Sequence, residues 1–285
     1  MHYVENINNV PFLGLEYIPC ASLEQLISKD NFLYPEKYLR NMSVILKVVI
    51  SICNALSYAH SMSVLHLNLK PDCVLWTVQD FLETKVMQVT NPLDPDGIIL
   101  TEFGMQTTLD MRHQNFSSSM VQKDLQFIDM YWPPVVKRQF RKVIERDQGT
   151  DFDKDHFVFL KQLTPNIDIF CFGVLLLYII NCGYSWKSSE ELTVNNVSNL
   201  LSRGNKFFHK PVYDKLEALI ARCLMVYDPN FKGKSFMSFK EIKVAVIKEF
   251  GYFIDRINNN HPKSGIKDIS PVHESNLSKF KRSLG

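Results

Sequence analysis

The sequence predicts a mainly α (α+β) fold with only short strands, and three observations predict it. Between Glu36 and Ser61, the residues Leu39, Met42, Leu46, Val49, Ile50, Cys53, Leu56 and Ala59 recur at spacings of three and four, the pattern of one long amphipathic helix. Between Asp168 and Asn181 apolar residues fall on every side of a helical wheel, as a helix buried all round requires. The strand candidates are a few residues long and bounded by turn-forming residues.

In chain order, Pro11–Tyr17 (PFLGLEY) predicts a strand ending at Pro19, and Ser22 is placed to cap a short helix through Leu23-Glu24-Gln25-Leu26-Ile27. After the long helix comes a strand near Val74–Thr77. Residues 78–97 interrupt the pattern and end in the turn-rich Asn91–Gly97. A second short strand, Ile98–Thr101, leads into Glu102-Phe103-Gly104. A polar stretch containing Ser117-Ser118-Ser119 runs to Tyr131-Trp132-Pro133-Pro134. Residues 137–163 are charged and predict a surface excursion. Three more helices are expected around residues 188–202, 212–226 and 238–250, followed by a polar, mobile tail from Asn258 to Gly285.

Bulk composition excludes some classes. The 285 residues are 46% hydrophobic and 22% charged, ordinary for a globular protein with a sizeable core. A net charge of +2 gives no global drive toward nucleic acid or anionic membranes. The six cysteines (Cys20, Cys53, Cys73, Cys171, Cys182 and Cys223) form no C-x-x-C pair and predict reduced thiols in a cytoplasmic protein. The longest apolar run, Ile169–Ile180, falls short of the roughly 20 residues that span a bilayer.

The motifs sharpen the fold class. His66-Leu67-Asn68-Leu69-Lys70-Pro71-Asp72-Cys73 resembles the catalytic loop of protein kinases, H-R-D-L-x-x-x-N. Phe12–Tyr17 resembles the fifth strand and hinge of that family, which places Leu15 at the gatekeeper position and Glu16, Tyr17 and Ile18 at hinge positions that would border a nucleotide. Glu102-Phe103-Gly104 resembles D-F-G, and Trp132-Pro133-Pro134-Val135 stands where A-P-E would be. Asp168–Gly173 resembles the D-x-W-S-x-G opening of the central helix, with Asp168 and Gly173 as structural residues, and Asp228-Pro229 resembles the D-P pair. The resemblance covers about residues 11–250 and implies a kinase-like C-lobe. Residues 1–21 would be a remnant of N-lobe strand and hinge. Residues 22–250 would be the lobe itself, with insertions near 78–97 and 137–163. Residues 251–285 would be a tail or linker.

Each reactive position departs from the family pattern. Asn68 replaces the aspartate that accepts the substrate proton, and an amide has no useful basicity. Cys73 replaces the metal-binding asparagine with a soft thiol that suits magnesium poorly. Glu102 is the one metal-binding candidate left, a methylene longer than aspartate. Lys70 matches the phosphate-contacting lysine, for which a structural salt bridge is expected, and His66 is expected as a core histidine. Leu67 replaces the arginine that docks an activation-loop phosphate, so Ser117–Ser119 lack that partner. Val135 and, by spacing, Lys232 replace a buried glutamate–arginine pair, avoiding an unpaired buried charge. Asp168 is expected to bond loop amides near His66 and Leu67.

The resemblance therefore implies a pseudokinase: a regulatory or scaffolding module with no catalytic residue, acting on a kinase domain in cis or trans. No two of the 11 glycines stand two apart, so there is no G-x-G-x-x-G, and the N-lobe is nearly absent. No cofactor is expected. ATP and magnesium would bind only if an N-lobe were supplied and Glu102 held the metal. Either the N-lobe lies upstream in a longer protein or the protein does without it. Ser278–Gly285 resembles the opening strand of a further kinase domain, the alternative being a disordered basic tail. A degenerate kinase domain ahead of an active one is the arrangement of the general-control kinases and of the Janus tyrosine kinases. The local texture is closer to the serine/threonine type. Two alternatives stay open: a divergent active serine/threonine kinase that relies on positioning, and an all-helical interaction domain in which Asp168 would be exposed and far from His66.

Overall fold

The computed structural model describes residues 3–7, 10–14, 17–18, 20–27, 42–77, 97–103, 128–145, 163–181, 183, 186–201, 210–228, 231 and 233–260. Within them the chain is mainly helical with short strands, the class that the sequence predicts.

Five strands form two small sheets. β1 (Tyr3–Ile7) pairs antiparallel with β2 (Val10–Gly14), Tyr3 opposite Gly14. β3 (Cys20–Ser22), β4 (Val74–Thr77) and β5 (Ile98–Leu100) form an antiparallel sheet with β4 central, Leu75 lying between Ser22 and Ile99. The strand expected over residues 11–17 thus occupies Val10–Gly14. β3 was not expected, because three residues carry no readable alternation.

α1 (Leu23–Ile27) starts at a reciprocal capping box: the Gln25 amide donates to Ser22 Oγ at 3.2 Å, and the Ser22 amide donates to Gln25 Oε1 at 3.0 Å. The box stops the chain from extending β3 and points Leu23, Leu26 and Ile27 into the core. α2 (Met42–Ser61) is the long amphipathic helix. Residues 36–41, included in it by the sequence pattern, lie outside the described residues.

Two expectations need correction. Residues 137–163 are not all surface excursion, because α3 spans Pro134–Glu145 and buries Val136, Lys137 and Phe140. Its high charge content hid the spacing of Val136 and Phe140, which places them on one helical face. Pro134 suits the first helical turn, where no amide partner is needed. The tail assigned to residues 251–285 starts too early, since α7 spans Phe239–Asn260. Phe253, Ile254 and Ile257 continue the helical spacing of Val246 and Phe250, and the polar residues between them masked it.

The centre of the molecule is α4 (Pro165–Asn181), in which every side chain from Ile167 to Ile180 is buried. α5 (Val194–Leu201), α6 (Lys210–Leu224) and α7 follow, with a 3-10 turn at Met225–Tyr227 after α6. α4 and α6 approach closely at Gly173: a Cβ there would lie 2.7 Å from Cys223 Cβ and 3.0 Å from Leu224 Cδ2. The described cysteines (Cys20, Cys53, Cys73, Cys171 and Cys223) are all free thiols, and no described helix is long and apolar enough to cross a membrane.

The Gly173 contact predicts that Gly173→Ala forces α4 and α6 apart and lowers stability by about 1–3 kcal/mol, measured by urea denaturation. An unchanged midpoint would show that the two helices are not in register as described.

Candidate functional site

The 66–73 loop is positioned by its backbone. Asp168, fully buried in the first turn of α4, accepts from the His66 amide through Oδ2 and from the Leu67 amide through Oδ1, each at 2.8 Å. The His60 ring, near the end of α2, donates from Nε2 to the same Oδ2 at 2.8 Å. Trp132 closes the other side: its indole N–H donates to the Leu67 carbonyl at 3.1 Å. Leu67 takes a left-handed backbone (φ 57°) and buries its side chain. A non-glycine residue in that region costs on the order of 1–3 kcal/mol, which the surrounding bonds must offset.

His66 is buried. Its Nδ1 accepts from the Asn68 amide at 3.2 Å, which puts the ring proton on Nε2, where it has no hydrogen-bond partner of normal geometry. The Phe103 ring packs against it at 4.2 Å. Burial pulls the His66 pKa below the ordinary histidine value, and the Asp168 charge opposes that only in part.

The four side chains in front of this frame bond to one another. Glu102, also left-handed (φ 62°), receives three donors on Oε2: the Asn68 side-chain amide at 3.1 Å, the Cys73 thiol at 3.2 Å and, as an ion pair, the Lys70 ammonium at 3.5 Å. The Cys73 thiol also lies 3.0 Å from the Asn68 carbonyl. Burial alone would raise the Glu102 pKa. The donors Cys73, Lys70 and Asn68 outweigh it and hold the carboxyl below its usual range. Burial, reinforced by Glu102, pushes the Cys73 thiol far up, so it remains a protonated donor. Lys70 also lies 3.8 Å from Asp72. A hydrogen bond to Asp72, together with burial, raises the Glu24 carboxyl to about 7.

Chemically this cluster can hold a loop. It offers no free base, and its carboxylate oxygen already meets three donors. Among the described residues no three His, Cys, Asp or Glu side chains are arranged to hold a metal ion. The donor set of a protonated thiol, an amide and one occupied carboxylate oxygen suits magnesium poorly.

The structure thus brings together His66, Asn68, Lys70, Cys73, Glu102 and Asp168, while Gly173 serves helix packing. Tyr17 is exposed and Ile18 half-buried, and no described contact ties either to the cluster. Glu16, Leu15, Gly104, Ser117–Ser119, Pro229 and Lys232 lie outside the described residues. The Val135 reading needs correction: its side chain is 37% exposed at the start of α3, so no buried pocket required an apolar replacement. The buried charge nearby is Lys137 instead. Its ammonium donates to Ser188 Oγ at 3.0 Å and to Ser189 Oγ at 3.3 Å, and lies 3.7 Å from Asp129 and 3.6 Å from Glu190. Sequence reasoning also missed His60, Trp132 and Glu24, whose partners lie far away in sequence. Only the position of His60 at the end of an amphipathic helix just before the loop was a readable signal.

Comparison with known proteins agrees with the geometry at the level of a broad relationship. A probable serine/threonine-protein kinase of Streptomyces coelicolor is 22% identical over 212 residues, covering 68% of this chain and 28% of its own length. A serine/threonine-protein kinase of Saccharomyces cerevisiae is 21% identical over 278 residues, covering 93% of this chain and 50% of its own length. No protein-family model matches. The relationship is protein-kinase-like, and the chain spans half or less of the length of these relatives.

Two outcomes follow from the site. Asp168→Asn replaces an acceptor with a donor beside bound amides and should cost about 3 kcal/mol or more, read by chemical denaturation; a loss under 1 kcal/mol would show the carboxylate to be dispensable. The pH response has two opposed parts. His66 is held below its ordinary pKa of 6.5, so the unfolded chain takes up the proton first and stability falls as pH drops below that value. Glu24 is raised from 4.5 to about 7, so its contribution is present below 4.5 and is lost as pH rises through 7. Melting curves between about pH 5 and pH 8 should flatten on the acid side in His66→Leu and on the neutral side in Glu24→Gln.

Proposed function

We propose that this chain is a pseudokinase module that works by binding and regulating a protein partner, a kinase domain in cis or trans, and not by transferring phosphate. The observation that carries this reading is the closed bonding of Asn68, Cys73, Lys70 and Glu102: the groups at the reactive positions satisfy one another. A general base must be free to accept a proton, and an amide already donating to Glu102 cannot do so. The intact loop frame of His60, His66, Leu67, Trp132 and Asp168 supports a fold kept for binding. A tandem arrangement like that of the general-control kinases, with cytoplasmic location, belongs to the same proposal. No cofactor is part of it.

One observation favours a second reading, a divergent active serine/threonine kinase. Glu102 and Lys70 keep a carboxylate and an ammonium 3.5 Å apart at positions that would face a metal-bound phosphate. Phosphoryl transfer depends largely on positioning and charge, so such a pair has some catalytic value.

The intact protein is expected to show no magnesium-dependent phosphoryl transfer from ATP to a generic protein substrate. Turnover abolished by Glu102→Ala would sink the pseudokinase reading. Asn68→Asp is expected to create no activity and to lower the melting temperature at neutral pH, since it sets two carboxylates where an amide and a carboxylate now bond. Acid pH should restore that loss as the pair shares a proton.

A further inference from the structure

Leu67 is held at both ends of its backbone. Its amide donates to Asp168 Oδ1 at 2.8 Å, and its carbonyl accepts from the Trp132 indole at 3.1 Å. Its left-handed conformation (φ 57°) is one that residues other than glycine rarely adopt, so it persists only while such bonds hold it. Asp168 belongs to the buried central helix α4. Trp132 belongs to a short segment, residues 128–137, that leads into α3. The Trp132 ring is buried against Phe140, with ring centroids 5.5 Å apart. Such packing is non-directional. The polar bonds along the segment supply the direction that aims the indole N–H at Leu67.

Those bonds converge on Lys137. Its side chain is 2% exposed, and an ammonium has three protons to give and no acceptor. It donates to Ser188 Oγ at 3.0 Å, to Ser189 Oγ at 3.3 Å and to the Asp129 carbonyl at 3.4 Å. Both serine hydroxyls must accept from it, which directs their own protons elsewhere. Ser189 donates to the Trp132 carbonyl at 2.7 Å, and Ser188 to the Asp129 carbonyl at 3.3 Å. The chain from Lys137 through Ser189 to Trp132 thus has one direction, and bonds in such a chain strengthen one another. Among the described residues, the ammonium's charge is met from the rim. Asp129 and Glu190, 3.7 Å and 3.6 Å away, are 36% and 50% exposed and are shared with Arg141 and Arg138.

We propose that residues 128–137 are a strap over the 66–73 loop and that Lys137 is its latch. While the ammonium sits between Ser188 and Ser189, the Trp132 carbonyl is fixed, the indole reaches Leu67 and the loop keeps its left-handed turn. Without the ammonium the serine protons are free to turn and the Trp132 carbonyl loses its directed donor. The loop then opens locally while the rest of the fold stays intact. The two carboxylates that meet the charge lie at the surface, so the order of the loop is set from a place that shares no bond with it. Lys137 is a positioning residue that acts through Trp132. The inference does not rest on the loss of phosphoryl transfer and holds for the loop in either functional reading.

Native-state hydrogen exchange of the whole 285-residue chain, followed by NMR, tests this. The Leu67 and Asn68 amides, bonded to Asp168 and His66, report on the loop. The amide of Val246, buried within α7, reports global opening. Lys137→Met keeps an unbranched apolar chain and removes the donors. It should speed exchange at Leu67 and Asn68 about tenfold or more relative to Val246. Trp132→Phe should do the same, and the double variant should exchange no faster than Trp132→Phe alone, because both residues act through one path. If Lys137→Met does not fold, Asp129→Asn/Glu190→Gln, which alters only half-exposed carboxylates, should give the same selective change. Unchanged protection at Leu67, or equal acceleration at Leu67 and Val246, overturns the proposal. Additive effects of Lys137→Met and Trp132→Phe also overturn it, by showing that Lys137 does not act through Trp132.

Discussion

Asp168 holds a carboxylate at the start of α4 with no exposure to solvent, and such a charge must be met by donors or it destabilises the fold. Here the donors come from outside its own helix: the amides of His66 and Leu67 and the ring of His60. That one carboxylate therefore joins the buried central helix, the end of α2 and the 66–73 loop. The left-handed backbone at Leu67 falls where both carboxylate oxygens accept the loop's amides, so these bonds help to offset its cost. Trp132 extends the frame to the segment before α3, and Ser189 continues it by donating to the Trp132 carbonyl at 2.7 Å. The loop is thereby linked through bonded groups to Lys137, which donates to Ser188 and Ser189.

The side chains of the loop make sense as a set. Glu102 is long enough to reach Asn68, Cys73 and Lys70 together, and each of those groups is a donor at neutral pH. An aspartate at position 68 would set two carboxylates against each other, whereas the amide there completes the cluster. Burial keeps the Cys73 thiol protonated, which suits its place between a carbonyl and a carboxylate.

Long elements with a strong period were legible. α2 and α4 followed from the spacing or density of apolar residues, because a helix that buries a stripe or its whole surface must repeat it in sequence. The loop residues were legible as a motif, and so was the helix cap at Ser22, since a capping box joins residues only three apart. α3 and the last turns of α7 were missed where charged or polar residues interrupt the apolar positions, and β3 was too short to show a period. Among the site residues, His60, Trp132 and Glu24 escaped notice because their bonds join positions distant in sequence.

The sequence by itself determined the helical class, the helices α2 and α4, and the presence of Asn68 and Cys73 in the 66–73 loop. Those properties are local or periodic, so neighbouring residues encode them. Only the tertiary structure decided that Asn68, Cys73 and Lys70 close on one carboxylate oxygen of Glu102, and that Lys137 is buried while Val135 is not. These depend on how helices and loops far apart in the chain meet. Hydrogen bonding and burial at such meetings are set by packing, which residue types alone do not specify.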